Sequence, residues 1–193
     1  MSRAEHLLSA ARVPGGIERA GRRVAAPEPR RGGSRLLVGG VGYRNLRDLS
    51  AGPLLVDRLG ALGDAVDVED LSYSPIDVLF VMQRREPYAA AVLVGGVGRG
   101  DPPGTVRRYR WSAPAIATED LQSRIAEAVT GVISLDNLLY VLSHFGALPK
   151  DVTVVEIEPA DSGWGEGTTP VVAAALERAA ALVRDEVARS ASA

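Results

Sequence analysis

RLLVGGVG at residues 35–42 returns as AVLVGGVG at 91–98, so two short apolar runs each stop in a cluster of glycines. An apolar run of this length, bounded by glycine, suits a strand buried on both faces of a parallel sheet. LLVGGVG and VLVGGVG agree at six of seven positions. Two copies are too few for a solenoid, which stacks several. The reading is convergence: two buried strands leave the carboxyl edge of a parallel sheet through glycines, at the edge where open α/β folds bind ligands.

The segments on either side supply the rest of such a fold. Ala51–Leu62 has Leu54, Leu55, Leu59 and Leu62 at helical spacing, with Pro53 in the first turn. AVDVEDL (65–71) alternates as a second strand, and Pro75–Arg85 is helical through Ile76, Leu79, Phe80 and Met82. Ala89–Val97 is the third and most apolar strand. TVRRYRW (105–111) alternates too, and its arginines mark an exposed edge. Thr118–Val129 reads as a helix capped by Thr118, and Ser134–Phe145 as one capped by Ser134 and stopped by Gly146. Val152–Ile157 is a β-branched strand, and Thr168–Val187 an alanine-rich closing helix. Alternating strands and helices predict an α/β three-layer sandwich with a mostly parallel twisted sheet, as one domain over 35–189.

Composition narrows the function. A net charge of −2 gives no electrostatic footprint for nucleic acid. Cysteine is absent, which excludes disulfides, thiolate metal sites and cysteine nucleophiles and is compatible with a reducing compartment. No apolar run approaches the ~20 residues that span a bilayer. Residues 1–34, rich in Arg, Ala, Pro and Gly, lack a secretory h-region and read as a disordered basic leader, with docking to an acidic partner as the alternative. The expected location is the cytoplasm.

The motifs exclude more than they identify. GVGYRN (40–45) lacks the third glycine of a dinucleotide fingerprint, and GVGRG (96–100) places its last glycine one position early. No Walker lysine follows either cluster, so the glycines read as tight strand exits. Two histidines exist: His6 in the leader, and His144 near a helix end where the dipole favours it. A serine triad or a histidine-rich metal site is not expected. The remaining chemical resource is acidic: Asp48 in the first glycine loop, Glu69 and Asp70 ending the second strand, Asp101 in the second loop, and Glu156, Glu158 and Asp161 around the last strand. Taken singly, each reads as part of a solvated loop rim, and Asp48 also as a cap of the helix after it.

These segments together resemble the hydrogenase maturation endopeptidases, which trim the C-terminal tail of the large subunit of nickel-iron hydrogenases. The resemblance runs from about Arg35 to Val183. VGGVGYRNLRDLSAG (38–52) keeps Gly40, Gly42, Leu46, Asp48 and Gly52 of the opening L-G-x-G-N and x-L-x-x-D-(D/E)-G-x-G patterns. GDPPGT (100–105) matches the family's G-x-x-P-G-T turn, and TGVISLDNLL (130–139) its helix start. IEPADSGWGEGTTP (157–170) matches the closing I-x-P-x-x-x-x-W-G-x-G segment and is the most specific.

The resemblance implies a phosphorylase/hydrolase-like fold and a role in hydrogenase maturation, with the hydrogenase large subunit or another maturation factor as partner. It also implies three side chains that read the substrate's own nickel: an acid in the first loop, an aspartate after the central strand and a histidine before the fourth helix. Those positions carry Leu49, Gly95 and Gly131, and Tyr43 replaces the family asparagine. Neither Leu nor Gly has a side-chain lone pair to offer a metal. No metal ligand and no cofactor of its own are therefore expected. Two readings follow: a degenerate paralogue that acts by binding, or an endopeptidase with a rewired acidic site built on Asp48 as catalytic group, with Glu69, Asp70 or Asp101. A small-molecule enzyme at the sheet edge is a third class. In each case the expected cleft gathers Gly40, Gly42, Tyr43, Glu69, Asp70, Gly95, Gly98, Arg99 and Asp101.

Overall fold

The computed structural model describes residues 33–115 and 117–190. His6 and nearly all of the expected leader, 1–34, lie outside the described residues. Five strands form one sheet: β1 (Leu36–Val41), β2 (Val66–Asp70), β3 (Ala90–Gly96), β4 (Val106–Arg110) and β5 (Asp151–Ile157). Their order is β2-β1-β3-β5-β4, parallel except for β4, which runs antiparallel against β5 at the edge. The helices are α1 (Ala51–Leu59), α2 (Pro75–Arg84), α3 (Thr118–Val129), α4 (Leu135–His144) and α5 (Pro170–Ser190).

The central strands are buried on both faces, which is why they read as continuous apolar runs. On one face Leu36, Val38, Val92, Val94, Val155 and Ile157 pack against Leu55 and Val56 of α1 and Val172, Leu176 and Val183 of α5. On the other, Leu37, Leu93, Val152 and Val154 meet Val78, Leu79 and Met82 of α2 and Leu135, Leu138 and Leu142 of α4. The α/β three-layer sandwich expected from the sequence is the observed fold.

Two local features differ from the expectation. Thr118 does not cap α3: Ala117 holds that place and makes no side-chain cap. Ser134 does cap α4, its hydroxyl accepting from the Asn137 N–H, and Gly146 ends the turn beyond at φ 64°. The two glycine clusters are also not equivalent. Leu36 pairs with Ala90, so Gly39 and Gly40 lie within β1 opposite Leu93 and Val94, while Gly95 and Gly96 end β3.

Candidate binding cleft at the carboxyl edge of the sheet

The chain leaves β1 toward β2 on one side, and leaves β3 toward β5 and β4 on the other. The crevice between the carboxyl ends of β1 and β3 is thus the switch point where open α/β sheets take ligands. Here the chain itself occupies it. A 3-10 turn, Arg47–Ser50, folds over the crevice, and the glycines make room for it. A Cβ on Gly96 would lie 2.6 Å from Asp48 O, and one on Gly42 would collide with the Leu49 carbonyl. A Cβ on Gly40 would lie 2.6 Å from Gly52 C. The clusters therefore hold no phosphate. They let the turn and the first turn of α1 sit directly on two strand ends.

Asp48 has an unexpected place in this packing. It is 0% exposed, and its carboxylate accepts four hydrogen bonds from the segment between β5 and α5. Oδ2 takes the N–H of Ala160 (2.8 Å), the N–H of Asp161 (2.9 Å) and the Thr169 hydroxyl (2.9 Å), and Oδ1 takes the Thr169 N–H (2.6 Å). Backbone bonds from Arg47 N to Gly165 O (3.0 Å), Asp48 N to Asp161 O (3.0 Å) and Gly165 N to Asn45 O (3.0 Å) complete the seam. Asp48 is thus an internal anchor; it does not stand at a cleft rim, and it does not cap the following helix. The pinned loop carries Trp164 at 81% exposure. Arg47, which the sequence did not single out, bends through φ 38°, a rare conformation for a residue with a side chain.

The other acids do not converge on a catalytic pair. Glu69 and Asp70 are neighbours on β2 and point to opposite faces. Glu69 pairs with Arg85 below α2, whereas Asp70 pairs with Arg44, which also holds Asp57 of α1. Asp101 pairs with Arg107. Each of the four acids offered for a rewired site is therefore engaged separately.

Arg99 gathers a different group. Its guanidinium binds Glu156 of β5 (Nε to Oε2, 3.1 Å; Nη2 to Oε1, 2.5 Å) and Asp136 of α4 (3.0 and 2.7 Å). Those bonds, to Glu156 first and then Asp136, raise its pKa further above the ordinary arginine range. The N–H groups of Arg99 and Gly100 donate to the buried Glu158 carboxylate at 2.8 and 3.0 Å, which fixes the loop after β3. Gly98, in the same loop, has no atom nearer than 4.0 Å to an added Cβ, so no close approach demands it. Tyr43 reaches across from the first loop, its hydroxyl accepting the Ile133 N–H at 2.7 Å, and so ties that loop to the α3–α4 turn.

Tyr109 completes the Arg99 cluster by donating to Glu156 Oε1 at 2.7 Å. Burial pushes its hydroxyl above the usual tyrosine range, and the bond to Glu156 acts in the same direction. Its contribution to stability is fully present below the unfolded value near pH 10 and is lost as pH rises through the higher folded value. Tyr109→Phe should flatten the alkaline limb of a plot of urea midpoint against pH, from about pH 10 upward. Tyr73 and Tyr88, also raised by burial, leave a residual slope. Identical slopes in the two proteins would refute this role for Tyr109.

Among the described residues no group of three or more His, Asp or Glu stands where it could hold a metal ion. Leu49 presents an aliphatic side chain. Gly95 is closed in, since a Cβ there would lie 3.1 Å from Val41 O and 3.2 Å from Leu135 Cδ2. Gly131 sits at φ 85° with open space around it. No family model matches the chain, and no curated protein matches it. Solved structures do. The hydrogenase maturating endopeptidase HybD from E. coli superposes with a TM-score of 0.61 at 26% identity, covering 81% of this chain and 93% of its own. The chain is a structural homologue of the hydrogenase maturation proteases.

The hydrogenase 2 maturation peptidase from Thaumarchaeota archaeon SCGC_AB-539-E09 gives a TM-score of 0.55 at 26% identity, covering 80% of this chain and 98% of that one. An endopeptidase from Escherichia coli gives 0.58 at 27%, over 77% and 89%. The relationship covers nearly the whole length of these proteases, and Leu49, Gly95 and Gly131 are the positions at which the resemblance in sequence would place metal-reading side chains. A metal-reading triad does not fit there. None of the three has a side-chain donor atom, a Cβ at Gly95 would crowd Val41 O and Leu135, and Gly131 is a left-handed turn that a β-carbon would strain.

Proposed function

We propose that this protein serves nickel-iron hydrogenase maturation by binding, without metal-guided cleavage. Its partner in this reading is the immature large subunit or another maturation factor. The working domain is 35–189, in the cytoplasm, with 1–34 as a leader. No described helix is long and apolar enough to cross a membrane. One observation carries the reading: the carboxyl edge keeps a loop fixed by Asp48 that holds Trp164 in solvent, while the three positions that would read a metal are unfit for it. An exposed tryptophan on a rigid loop is the kind of residue that dominates binding energy.

The rewired endopeptidase draws no support from the acids, which are buried or paired one by one. Mixing the purified protein with full-length hydrogenase large subunit tests both readings at once. The expected result is a complex with the large subunit's mass unchanged. Trp164→Ala should weaken that complex by about 2 kcal/mol, roughly thirtyfold in Kd, at unaltered stability. Loss of the C-terminal tail would establish a protease. No complex, together with normal large-subunit processing in a host lacking the gene, would end the maturation reading.

A further inference from the structure

The edge strand β4 carries a feature independent of the maturation reading. Glu158 N donates to Thr105 O (2.9 Å) and Trp111 N to Val152 O (2.8 Å), so the odd-numbered residues spend their backbone groups on β5. Val106, Arg108 and Arg110 turn theirs outward, and no further strand pairs with them among the described residues. The side chains of Arg108 and Arg110 lie on the α5 side, over Glu186, which is 2% exposed. Together with Arg189 and Thr153 they line a recess of about 210 Å³.

The recess has unspent donors. Arg108 reaches Glu186 only at 3.7 Å, beyond hydrogen-bond length. The buried Thr153 hydroxyl has no hydrogen-bond partner, and Glu186 Oε1 has none either, lying 3.1 Å from Arg110 Nη2 as a charge contact alone. Three guanidinium groups face two carboxylates, Glu186 and Asp151, which leaves one positive charge over. Exposed edges are commonly guarded by basic side chains that stand out into solvent. Here Arg108 and Arg110, exposed as such guards are, also line a recess over Glu186, and the backbone edge beside it stays available.

We propose that β4 takes up an extended acidic segment of a partner protein as a sixth strand, with one of its carboxylates entering the recess between Arg108, Arg110 and Thr153. Main-chain bonds along such an edge supply affinity, and side-chain pockets supply selectivity. A second copy of this chain through its own β4 would oppose arginine to arginine. The acidic strand β2 is a poor occupant as well, because Asp67, Glu69 and Asp70 are already held by Arg35, Arg85 and Arg44. The segment 1–32, with seven arginines against three glutamates, has the wrong charge.

The probe is a labelled peptide of about twelve residues alternating Glu with Val and Thr, beside a version with Lys for Glu. Full-length protein should bind the Glu peptide at low salt, bind it less at high salt, and leave the Lys peptide free. Amide exchange at Val106, Arg108 and Arg110 should slow by about tenfold or more on binding, with Arg107 and Tyr109 unchanged. Val106→Pro removes an outward N–H without touching the β5 ladder and should weaken binding about tenfold. Arg108→Gln should weaken it comparably. Equal binding of both peptides, unchanged exchange at the three amides, or full binding by Val106→Pro would overturn the proposal. So would self-association through β4 that excludes the peptide. If Val106→Pro does not fold, the exchange pattern of the unaltered protein decides.

Discussion

Gly52→Ala should leave a protein barely able to fold. The added Cβ would lie 2.5 Å from Val41 N and 2.6 Å from Val94 O, and nearer still to Val41 O. All three are backbone atoms of the two central strands, so no side-chain rotation relieves the overlap. Relief requires lifting α1 off the sheet, and with it Ala51, Leu55 and Val56, which are buried against β1 and β3. Overpacking of this kind costs up to about 3 kcal/mol where side chains can adjust; rigid backbone on three sides puts the expected cost above about 4 kcal/mol. That is a large part of the total stability of an ordinary domain, about 5–15 kcal/mol. Gly60→Ala is the control. Its φ of 60° and ψ of −152° lie in a region almost restricted to glycine and nothing lies within 4 Å, so the backbone alone sets the cost, about 1–3 kcal/mol. Urea midpoints on both variants make the comparison. A Gly52→Ala protein within about 1 kcal/mol of the parent would mean that α1 slides freely over the strand ends.

The same glycines mark how far the sequence could be read. Buried strands and amphipathic helices announce themselves through local periodicity, so the α/β order was legible from end to end. That the glycines served the chain itself was legible too, because every phosphate-binding pattern failed by a residue or more. The target of that service was not legible, since the 3-10 turn over 47–50 depends on the φ of Arg47, a choice set by tertiary contacts.

Asp48 shows the same limit. Its four donors lie 112 to 121 residues along the chain, and no local pattern links them to it. Glu69 and Asp70 are a different case. Adjacent residues on a strand face opposite ways, so their separation could have been read from the alternation in AVDVEDL. The signal for Thr169 was also present, as a threonine just before a proline at a helix start. Asp136, Glu156 and Tyr109 meet at Arg99 only because α4, β5 and β4 converge there, which strand order decides.

Asp48→Ala is expected to detach the loop between β5 and α5. Removing the carboxylate orphans three backbone N–H groups and the Thr169 hydroxyl in a site closed to solvent. Hydrogen bonds to a charged group are worth about 1.5–3 kcal/mol each, and water entering the space recovers part of that sum. A net loss of about 3–5 kcal/mol is expected, with amide exchange rising at Ala160, Asp161 and Thr169 and with new proteolytic cuts near Trp164. Asp48→Asn keeps the shape but turns an NH2 toward donors, so it should fall between the two. Exposed Glu177→Ala should change stability by less than about 0.5 kcal/mol. The pair of variants also separates anchor from contact. Trp164→Ala should lose partner affinity at full stability, whereas Asp48→Ala should lose affinity only as its loop comes loose. An Asp48→Ala protein with undiminished stability and lost binding would return Asp48 to the surface as a contact residue, and the buried seam described above would be wrong.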